Sequence, residues 1–118
     1  MAIVNMTSSA NDKLFMLKQT ITVNANTVTG NDVMMPANMA TAKISRVHAG
    51  ASTGRVLYTV SSPTDIAGAT ATWIEAAATS GTDVLGDLPL GVTAIRLEAT
   101  TATASDEDVV FELRAEIK

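Results

Sequence analysis

Cysteine is absent from the 118 residues of the chain, which excludes disulfides, thiolate nucleophiles, cysteine-ligated zinc and iron–sulfur clusters. The single histidine, His48, has no second histidine with which to hold a metal ion. The sequence also lacks an apolar run of about 18 residues, and its N-terminus has no basic segment followed by an apolar run. These absences predict a soluble protein without a cofactor, a membrane partner or a secretory signal.

No sequence motif lies where catalysis would need it. The GxSxG match GASTG, at residues 50–54, is predicted to be a turn between two strands and not a nucleophile elbow, and the glycines after residue 80 do not form a phosphate-binding GxGxxG or GxxxxGK[ST] loop. Aromatic residues make up 3% of the chain, so paired carboxylates acting on a sugar would find few flat side chains to hold the ring. We therefore expect a protein that is not an enzyme, and we interpret His48 as a strand residue on a polar face, beside Arg46.

Positive charge is scarce, because 8 basic residues stand against 12 acidic ones and give a net charge of −4. This balance argues against a nucleic-acid partner held mainly by phosphate contacts. The length suits one domain that buries a core without disulfides or a structural metal. We predict that this domain spans residues 13–118 and that residues 1–12 form a possible N-terminal arm.

Short segments of alternating apolar and polar residues, separated by turn residues, continue from residue 14 to the end of the chain. They lie at residues 14–24, 41–49, 55–61, 70–77, 92–100 and 107–117. This spacing predicts an all-β fold, a single antiparallel β-sandwich or small β-barrel of about six to eight strands, with a less regular N-terminal segment. Residues 41–49 and 55–61, joined by GASTG, are predicted to pair as a hairpin.

The last two of these segments are predicted to form a second hairpin. Antiparallel pairing must keep both apolar faces on the same side of the sheet. The register that does so, and that avoids like charges directly opposite each other, places Ile95 opposite Leu113 and Arg96 opposite Glu112. Both apolar faces are predicted to point into the core.

The first third of the chain differs from the rest, because all six methionines lie before residue 40. Methionine adapts to irregular apolar surfaces. Met34, Met35 and Met39 are therefore candidates for contact with a partner protein. The alternative is that these three side chains fill a gap in an ordinary core.

Two further features suggest ligand contacts. The acidic run SDED contains Asp106, Glu107 and Asp108, and clustered carboxylates are the ligands that calcium prefers, although the run lacks the spacing of an EF-hand. The alternative is a solvated loop tip. Trp73 could contact a carbohydrate or a partner, or it could be a core residue of the sandwich.

A resemblance covers residues 71–118, with the sequence ATWIEAAATSGTDVLGDLPLGVTAIRLEATTATASDEDVVFELRAEIK. This segment resembles the C-terminal half of small bacteriophage head decoration, or cement, proteins. The shared features are a Trp-containing strand, a Gly- and Leu-rich turn, an IRLEAT strand, a Thr/Ser/Ala link and a final alternating strand.

The resemblance implies a non-enzymatic virion protein, made in the host cytoplasm and located on the capsid surface. It also implies that the protein binds the major capsid protein as a homo-oligomer, with a trimer favoured, and stabilises contacts between capsid subunits. The alternatives are a glycan- or calcium-binding β-sandwich module and a phage tail component.

Overall fold

In a computed structural model, the chain forms two five-stranded β-sheets that face each other across an apolar core. The structure describes residues 3–8, 13–80 and 83–118, and only the backbone of residues 76–80 and 84. The all-β sandwich predicted from the sequence is confirmed. The ten strands exceed the predicted six to eight, in part because residues 3–8 contribute two short strands.

The strands and the one helix follow each other closely along the chain. Their bounds are β1 (Ile3–Asn5), β2 (Thr7–Ser8), β3 (Leu14–Val23), β4 (Thr27–Met34), β5 (Met39–His48), β6 (Thr53–Thr59), α1 (Pro63–Ala67), β7 (Ile74–Ser80), β8 (Val84–Asp87), β9 (Ala94–Thr100) and β10 (Glu107–Ile117). Sheet A has the order β1-β4-β9-β6-β7, and sheet B has the order β2-β3-β10-β5-β8. All pairs are antiparallel except β1 and β4, which are parallel.

The core is built on the central strand of each sheet. Alternate residues of β10, including Phe111 and Leu113, are fully buried, and so are Ile95 and Leu97 of β9. Side chains alternate between the two faces of a strand, so this pattern places one apolar face of each sheet against the other. Burial of each of these large side chains stabilises the fold by about 1.5–3 kcal/mol.

The predicted hairpin of the last two strands is wrong, although both of its apolar faces do point inward. β9 lies between β4 and β6 in sheet A, whereas β10 lies between β3 and β5 in sheet B. Arg96 is therefore opposite Asp32 and Leu57, and Glu112 is opposite Lys18 and Ser45. The link after β9 crosses from one sheet to the other.

The predicted hairpin of residues 41–49 and 55–61 is wrong for the same reason. β5 belongs to sheet B and β6 belongs to sheet A, so residues 49–52 cross the sandwich. Gly50 has a φ of +59° at this crossing, a backbone conformation that glycine adopts without steric cost. The sequence pattern is satisfied equally by a hairpin and by an arch between sheets, because either arrangement buries the same faces.

Residues 3–8 lie against the domain and do not project from it. β1 extends sheet A beside β4, and β2 extends sheet B beside β3. Met6, between these two strands, is only 6% exposed and belongs to the core. The described part of the predicted arm therefore forms one edge strand of each sheet. Residues 1, 2 and 9–12 of this arm lie outside the described residues.

The single described helix occupies a segment that the sequence pattern marks only as a break between strands. Ser62 is its N-cap, and its side chain accepts a hydrogen bond from the backbone N–H of Asp65 at 3.2 Å. Pro63 follows at the first helical position, where its missing N–H has no cost. Ile66 anchors the helix in the interior. No helix among the described residues has the length and apolarity needed to cross a bilayer.

Candidate functional site

One end of the sandwich carries the predicted methionine cluster. β4 ends at Met34 and β5 begins at Met39, so the link between them crosses from sheet A to sheet B. The backbone N–H of Met35 donates to the carbonyl of Thr93 at 3.0 Å, which holds the link against the start of β9. Asn38 turns the chain towards β5 with a φ of +59°, a conformation that asparagine tolerates better than most residues.

The three methionines differ in burial. Met39 is 7% exposed and is part of the core, so for this residue the core alternative holds. Met35 is partly buried and packs against the core, and Met34 is also partly exposed. Only Met34 and Met35 therefore offer apolar surface to a partner.

Two exposed apolar side chains lie on other loops whose backbones meet this end of the sandwich. The backbone N–H of Thr93, whose carbonyl binds Met35, donates to the carbonyl of Thr59 at 2.8 Å. Val60, the next residue, is 78% exposed, and Leu90, shortly before Thr93, is 52% exposed. We refer to Met34, Met35, Val60 and Leu90 together as the apolar end. Val60 and Leu90 carry no signal in the sequence, because only the folded backbone brings these segments together.

Two shallow grooves border the apolar end. The smaller has a volume of about 190 Å³ and lies between β1, β3 and the β4–β5 link. The larger has a volume of about 310 Å³ and lies between the same link, Pro63 and residues 91–93. Drug-sized ligands usually occupy cavities of about 300–1,000 Å³. The smaller groove is below this range and the larger is at its lower limit, so both are better suited to single side chains of a partner protein than to a drug-sized ligand.

Trp73 lies on the outer side of sheet A, where Arg96 covers one face of its ring. The guanidinium carbon of Arg96 is 4.2 Å from the ring centroid, within the range of a cation–π contact. The same guanidinium donates two hydrogen bonds to the carboxylate of Asp32, at 2.7 and 3.0 Å. Trp73 is therefore neither a core residue of the sandwich nor a fully open platform for a sugar ring.

Asp106 and Asp108 direct their carboxylates to separate hydrogen-bond donors. The side-chain amide of Asn24 donates to Asp106 at 2.9 Å, and the hydroxyl of Thr22 donates to Asp108 at 2.6 Å. These contacts join the start of β10 to the end of β3. Within the described residues, no group of three or more carboxylate, imidazole or thiol side chains is arranged to hold a metal ion.

Glu107, the middle residue of the acidic run, turns inward and is 8% exposed. One carboxylate oxygen accepts the backbone N–H of Ala51 at 2.8 Å, and the other accepts the hydroxyl of Thr101. A Cβ at Gly50 would lie 1.5 Å from the first of these oxygens. Glu107 thus ties together the β5–β6 link and the β9–β10 link, both of which cross between the sheets.

The sandwich interior contains two polar residues that were expected on a polar face, Arg46 and His48. Arg46 is 4% exposed and His48 is partly buried, and both lie on the inner face of β5 opposite Phe111 and Val109. The interpretation of these two residues as a polar face is therefore wrong. Arg46 Nη1 donates to the carbonyl of Gly54 at 2.7 Å, across the core in sheet A.

Burial changes the acid–base properties of this cluster. It lowers the pKa of Arg46, lowers the pKa of His48 and raises the pKa of Tyr58, and in each case burial is the largest cause. The positive charge of Arg46 further lowers the pKa of His48. Both imidazole nitrogens of His48 are buried without a hydrogen-bond partner. A neutral imidazole is therefore favoured in the folded protein.

The chain matches no protein-family model and no curated protein. Among solved structures, it is similar to the crystal structure of Aeromonas hydrophila PliG, a periplasmic lysozyme inhibitor of g-type lysozyme. The two are 14% identical over 99% of this chain and 96% of that chain, with a TM-score of 0.40. At this level of similarity, the match supports no functional conclusion.

Proposed function

We propose that the protein is a non-enzymatic virion structural protein that binds the outer surface of a phage capsid and stabilises contacts between major capsid subunits. The resemblance of residues 71–118 to head decoration proteins suggests this role. The observation that carries the proposal is the apolar end, where the backbone hydrogen bonds of Thr93 bring together the three links that carry these exposed or half-exposed apolar side chains. Exposed apolar side chains grouped at one end of a domain are candidates for protein contact.

The mechanism follows from mass action. A protein that binds the assembled shell and not its free subunits shifts the equilibrium towards the shell. Flexible methionine side chains suit this task, because they adapt to the uneven surface where neighbouring capsid subunits meet. A homo-oligomer, with a trimer favoured, would present several apolar ends to the shell at once and gain avidity without new contacts.

The glycan- or calcium-binding alternative gains less support from the structure. One face of the Trp73 ring is covered by Arg96. The carboxylates of Asp106, Glu107 and Asp108 each engage different donors in the protein. A calcium-dependent rise in melting temperature that disappears in an Asp106→Asn/Asp108→Asn variant would favour this alternative over capsid binding. A tail component would instead bind tail structures and leave capsids unbound.

Co-sedimentation with purified capsids of the phage that encodes the chain tests the proposal. We expect the unaltered protein to sediment with capsids to a saturating ratio. The variant Met34→Gln/Val60→Gln should bind about ten-fold more weakly or worse, because each buried apolar side chain contributes about 1.5–3 kcal/mol. Val60 is 78% exposed, so its replacement leaves the fold intact.

The matched control is Val47→Gln/Val110→Gln, which changes two neighbouring apolar side chains on the outer face of sheet B. This variant should bind capsids as the unaltered protein does. Absence of co-sedimentation for the unaltered protein contradicts the proposed function. Equal loss of binding in the two variants contradicts the assignment of the contact to the apolar end.

A further inference from the structure

Both lateral edges of sheet B are open along part of their length. On one edge, β2 pairs only with Phe15 and Met16 of β3, so no strand among the described residues lies beside β3 from Lys18 to Val23. On the opposite edge, β8 pairs with β5 and has no described neighbour on its other side. An open edge of this kind is a template for pairing with a strand of another chain.

The hydrogen-bond pattern shows which residues of β3 direct their backbone groups towards the open edge. The N–H of Ile117 donates to the carbonyl of Lys13 at 2.9 Å, and this pair continues the register of β10 with β3. In an antiparallel ladder, residues that bond to one neighbour alternate with residues that face the other side. Odd-numbered residues of β3 therefore bond to β10, and Lys18, Thr20 and Thr22 direct their N–H and C=O groups outward.

The same pattern identifies the outward-directed residues of β8. The N–H of Leu88 donates to the carbonyl of Ala42 at 2.9 Å, in the register of β8 with β5. Even-numbered residues of β8 therefore bond to β5, and Leu85 and Asp87 direct their backbone groups outward. On both edges, the residues with outward-directed backbone groups carry their side chains on the outer face of the sheet. The two edges thus match, because directly opposite residues of paired strands share a face.

The directions of the strands determine how two copies of the chain can join. β3, β10, β5 and β8 are successively antiparallel, so β3 and β8 run in opposite directions within one copy. Antiparallel pairing of β3 with β8 of a second copy therefore leaves both copies in the same orientation, with their apolar ends on the same side. Antiparallel pairing of β3 with β3 would reverse the second copy and place the two apolar ends on opposite sides.

Charge selects one register for the pairing of β3 with β8. In this register, Lys18 is opposite Asp87 of the second copy, and Thr20 is opposite Leu85 of the second copy, which is 77% exposed in a single copy. Lys18 and Asp87 already belong to exposed ion pairs within each copy, which contribute little to stability and leave the outer face close to neutral. Side by side, these pairs form one row of alternating sign across the boundary: Glu112 and Lys18 of one copy, then Asp87 and Lys43 of the next.

Neighbouring registers are less favourable. A shift by two residues in one direction sets Asp87 opposite Met16, which already bonds to β2. A shift by two residues in the other direction sets Lys18 opposite Pro89, which has no N–H to donate.

We infer that copies of the chain join head to tail through sheet B, with β3 of one copy antiparallel to β8 of the next and Lys18 opposite Asp87. This contact joins two different surfaces, so a finite assembly requires the copies to close into a ring. The inference deepens the homo-oligomer of the proposed function and rests on it for the requirement that all apolar ends face one capsid surface.

Disulfide cross-linking tests the contact and its register, since the chain has no cysteine of its own. Thr20 and Leu85 are directly opposite in the inferred contact, where the Cα atoms of a hydrogen-bonded pair lie about 5.5 Å apart, a distance that a disulfide spans. The Thr20→Cys/Leu85→Cys variant, oxidised with glutathione disulfide, should give a single covalent ring on a denaturing gel. Thr20→Cys alone and Leu85→Cys alone should remain monomeric on the gel, because neither cysteine is opposite its own equivalent.

Two substitutions test the open edge and the charge row by light scattering, in which the unaltered protein should have the mass of a closed ring. Thr20→Pro removes an N–H that faces the edge and keeps the bonds of β3 to β10, so its mass should fall to that of one chain. Lys18→Glu sets like charges opposite each other in every contact of the ring and should weaken assembly about ten-fold or more. Its matched control, Lys118→Glu, makes the same change in net charge away from both edges and should assemble normally.

Circular dichroism confirms that each variant is folded, and the Lys18→Glu comparison and the cross-linking stand if Thr20→Pro does not fold. The inference is overturned by a monomeric mass of the unaltered protein at every concentration, or by equal assembly of Lys18→Glu and Lys118→Glu. It is also overturned if the single cysteine variants cross-link as efficiently as the double variant, or if the double variant gives a ladder of ever larger products. None of these measurements uses capsids. A ring that does not bind capsids would contradict the proposed function alone, and capsid binding by a monomer would contradict this inference alone.

Discussion

Replacement of Arg96 by methionine tests how the outer face of sheet A is held together. Arg96 Nε and Nη2 both bind the carboxylate of Asp32, and the guanidinium also covers the ring of Trp73. Asp32 is only 3% exposed. Methionine preserves most of the length of the side chain but leaves this buried carboxylate without its cation.

The magnitude follows from the burial of the two partners. Removal of one partner from a fully buried ion pair costs about 3–5 kcal/mol. The side chain of Arg96 is 23% exposed, so water can partly replace it, and we expect a loss of about 2–3 kcal/mol in the free energy of unfolding. Loss of the cation–π contact is included in this range and accounts for about 0.5–1 kcal/mol.

Urea unfolding measures the change, and the single Trp73 reports it by fluorescence. The matched control is Lys18→Met, which removes a cation whose carboxylate partner Glu112 is 3.9 Å away and 54% exposed. We expect the control to lose less than about 1 kcal/mol. Equal destabilisation by Arg96→Met and Lys18→Met would refute the stabilising role of the Arg96–Asp32 pair. An emission spectrum of Trp73 that is the same with and without Arg96 would refute the contact between the two side chains.

Two further predictions concern the links between the sheets and the buried polar cluster. Gly50→Ala should lower the free energy of unfolding by about 2 kcal/mol or more, because alanine is strained at this positive φ and its Cβ would clash with the carboxylate of Glu107. Gly86→Ala is the control. Because the space around Gly86 is open, this change should alter the free energy of unfolding by less than about 0.5 kcal/mol. Chemical denaturation of the two variants decides this, and equal effects would contradict the role given to Glu107. Burial and the charge of Arg46 lower the pKa of His48 in the folded protein. Below about pH 6.5, His48 is therefore protonated more readily in the unfolded chain than in the folded protein. The stability gained from the neutral imidazole is complete above that pH and is lost as the pH falls towards the lower pKa of the folded state. His48→Gln should therefore lose less stability between about pH 7 and pH 5 than the unaltered protein. Parallel curves of unfolding free energy against pH for the two proteins would contradict this prediction.

The faces of the strands could be predicted from the sequence, but the pairing of the strands could not. Alternation correctly assigns Ile95, Leu97, Phe111 and Leu113 to the core. It contains no information on whether two consecutive strands share a sheet, because in a sandwich the apolar faces of both sheets point to the same interior. The crossing links depend on contacts between distant residues, such as the hydrogen bond between Glu107 and Ala51.

The wrong assignment of Arg46 and His48 has a different cause. The alternation of β5 does place both residues on the same face as Ile44, which is buried. The charge of Arg46 predicts an exposed face for this segment, whereas the alternation predicts the inner face. A long cationic side chain can cross an apolar core when a carbonyl oxygen on the far side accepts its hydrogen bond. The carbonyl of Gly54 accepts this bond from Arg46. The period was the more reliable signal here.

The candidate contact surface was predicted only in part. Composition alone identifies Met34 and Met35, because methionine is confined to the first third of the chain. Val60 and Leu90 carry no such signal, since scattered exposed apolar residues are normal in soluble proteins. Their significance arises from the two backbone hydrogen bonds of Thr93, which bring three links to one end of the sandwich.

Calorimetry of the capsid tests the central claim most directly. The temperature of shell disassembly is measured for capsids alone and with increasing amounts of the protein. If the protein binds across subunit boundaries, this temperature should rise and reach a plateau at a fixed ratio of protein to capsid subunit, because the ligand stabilises only the assembled state. The Met34→Gln/Val60→Gln variant should need a higher concentration for the same rise. A disassembly temperature that stays constant at saturating protein would contradict the claim.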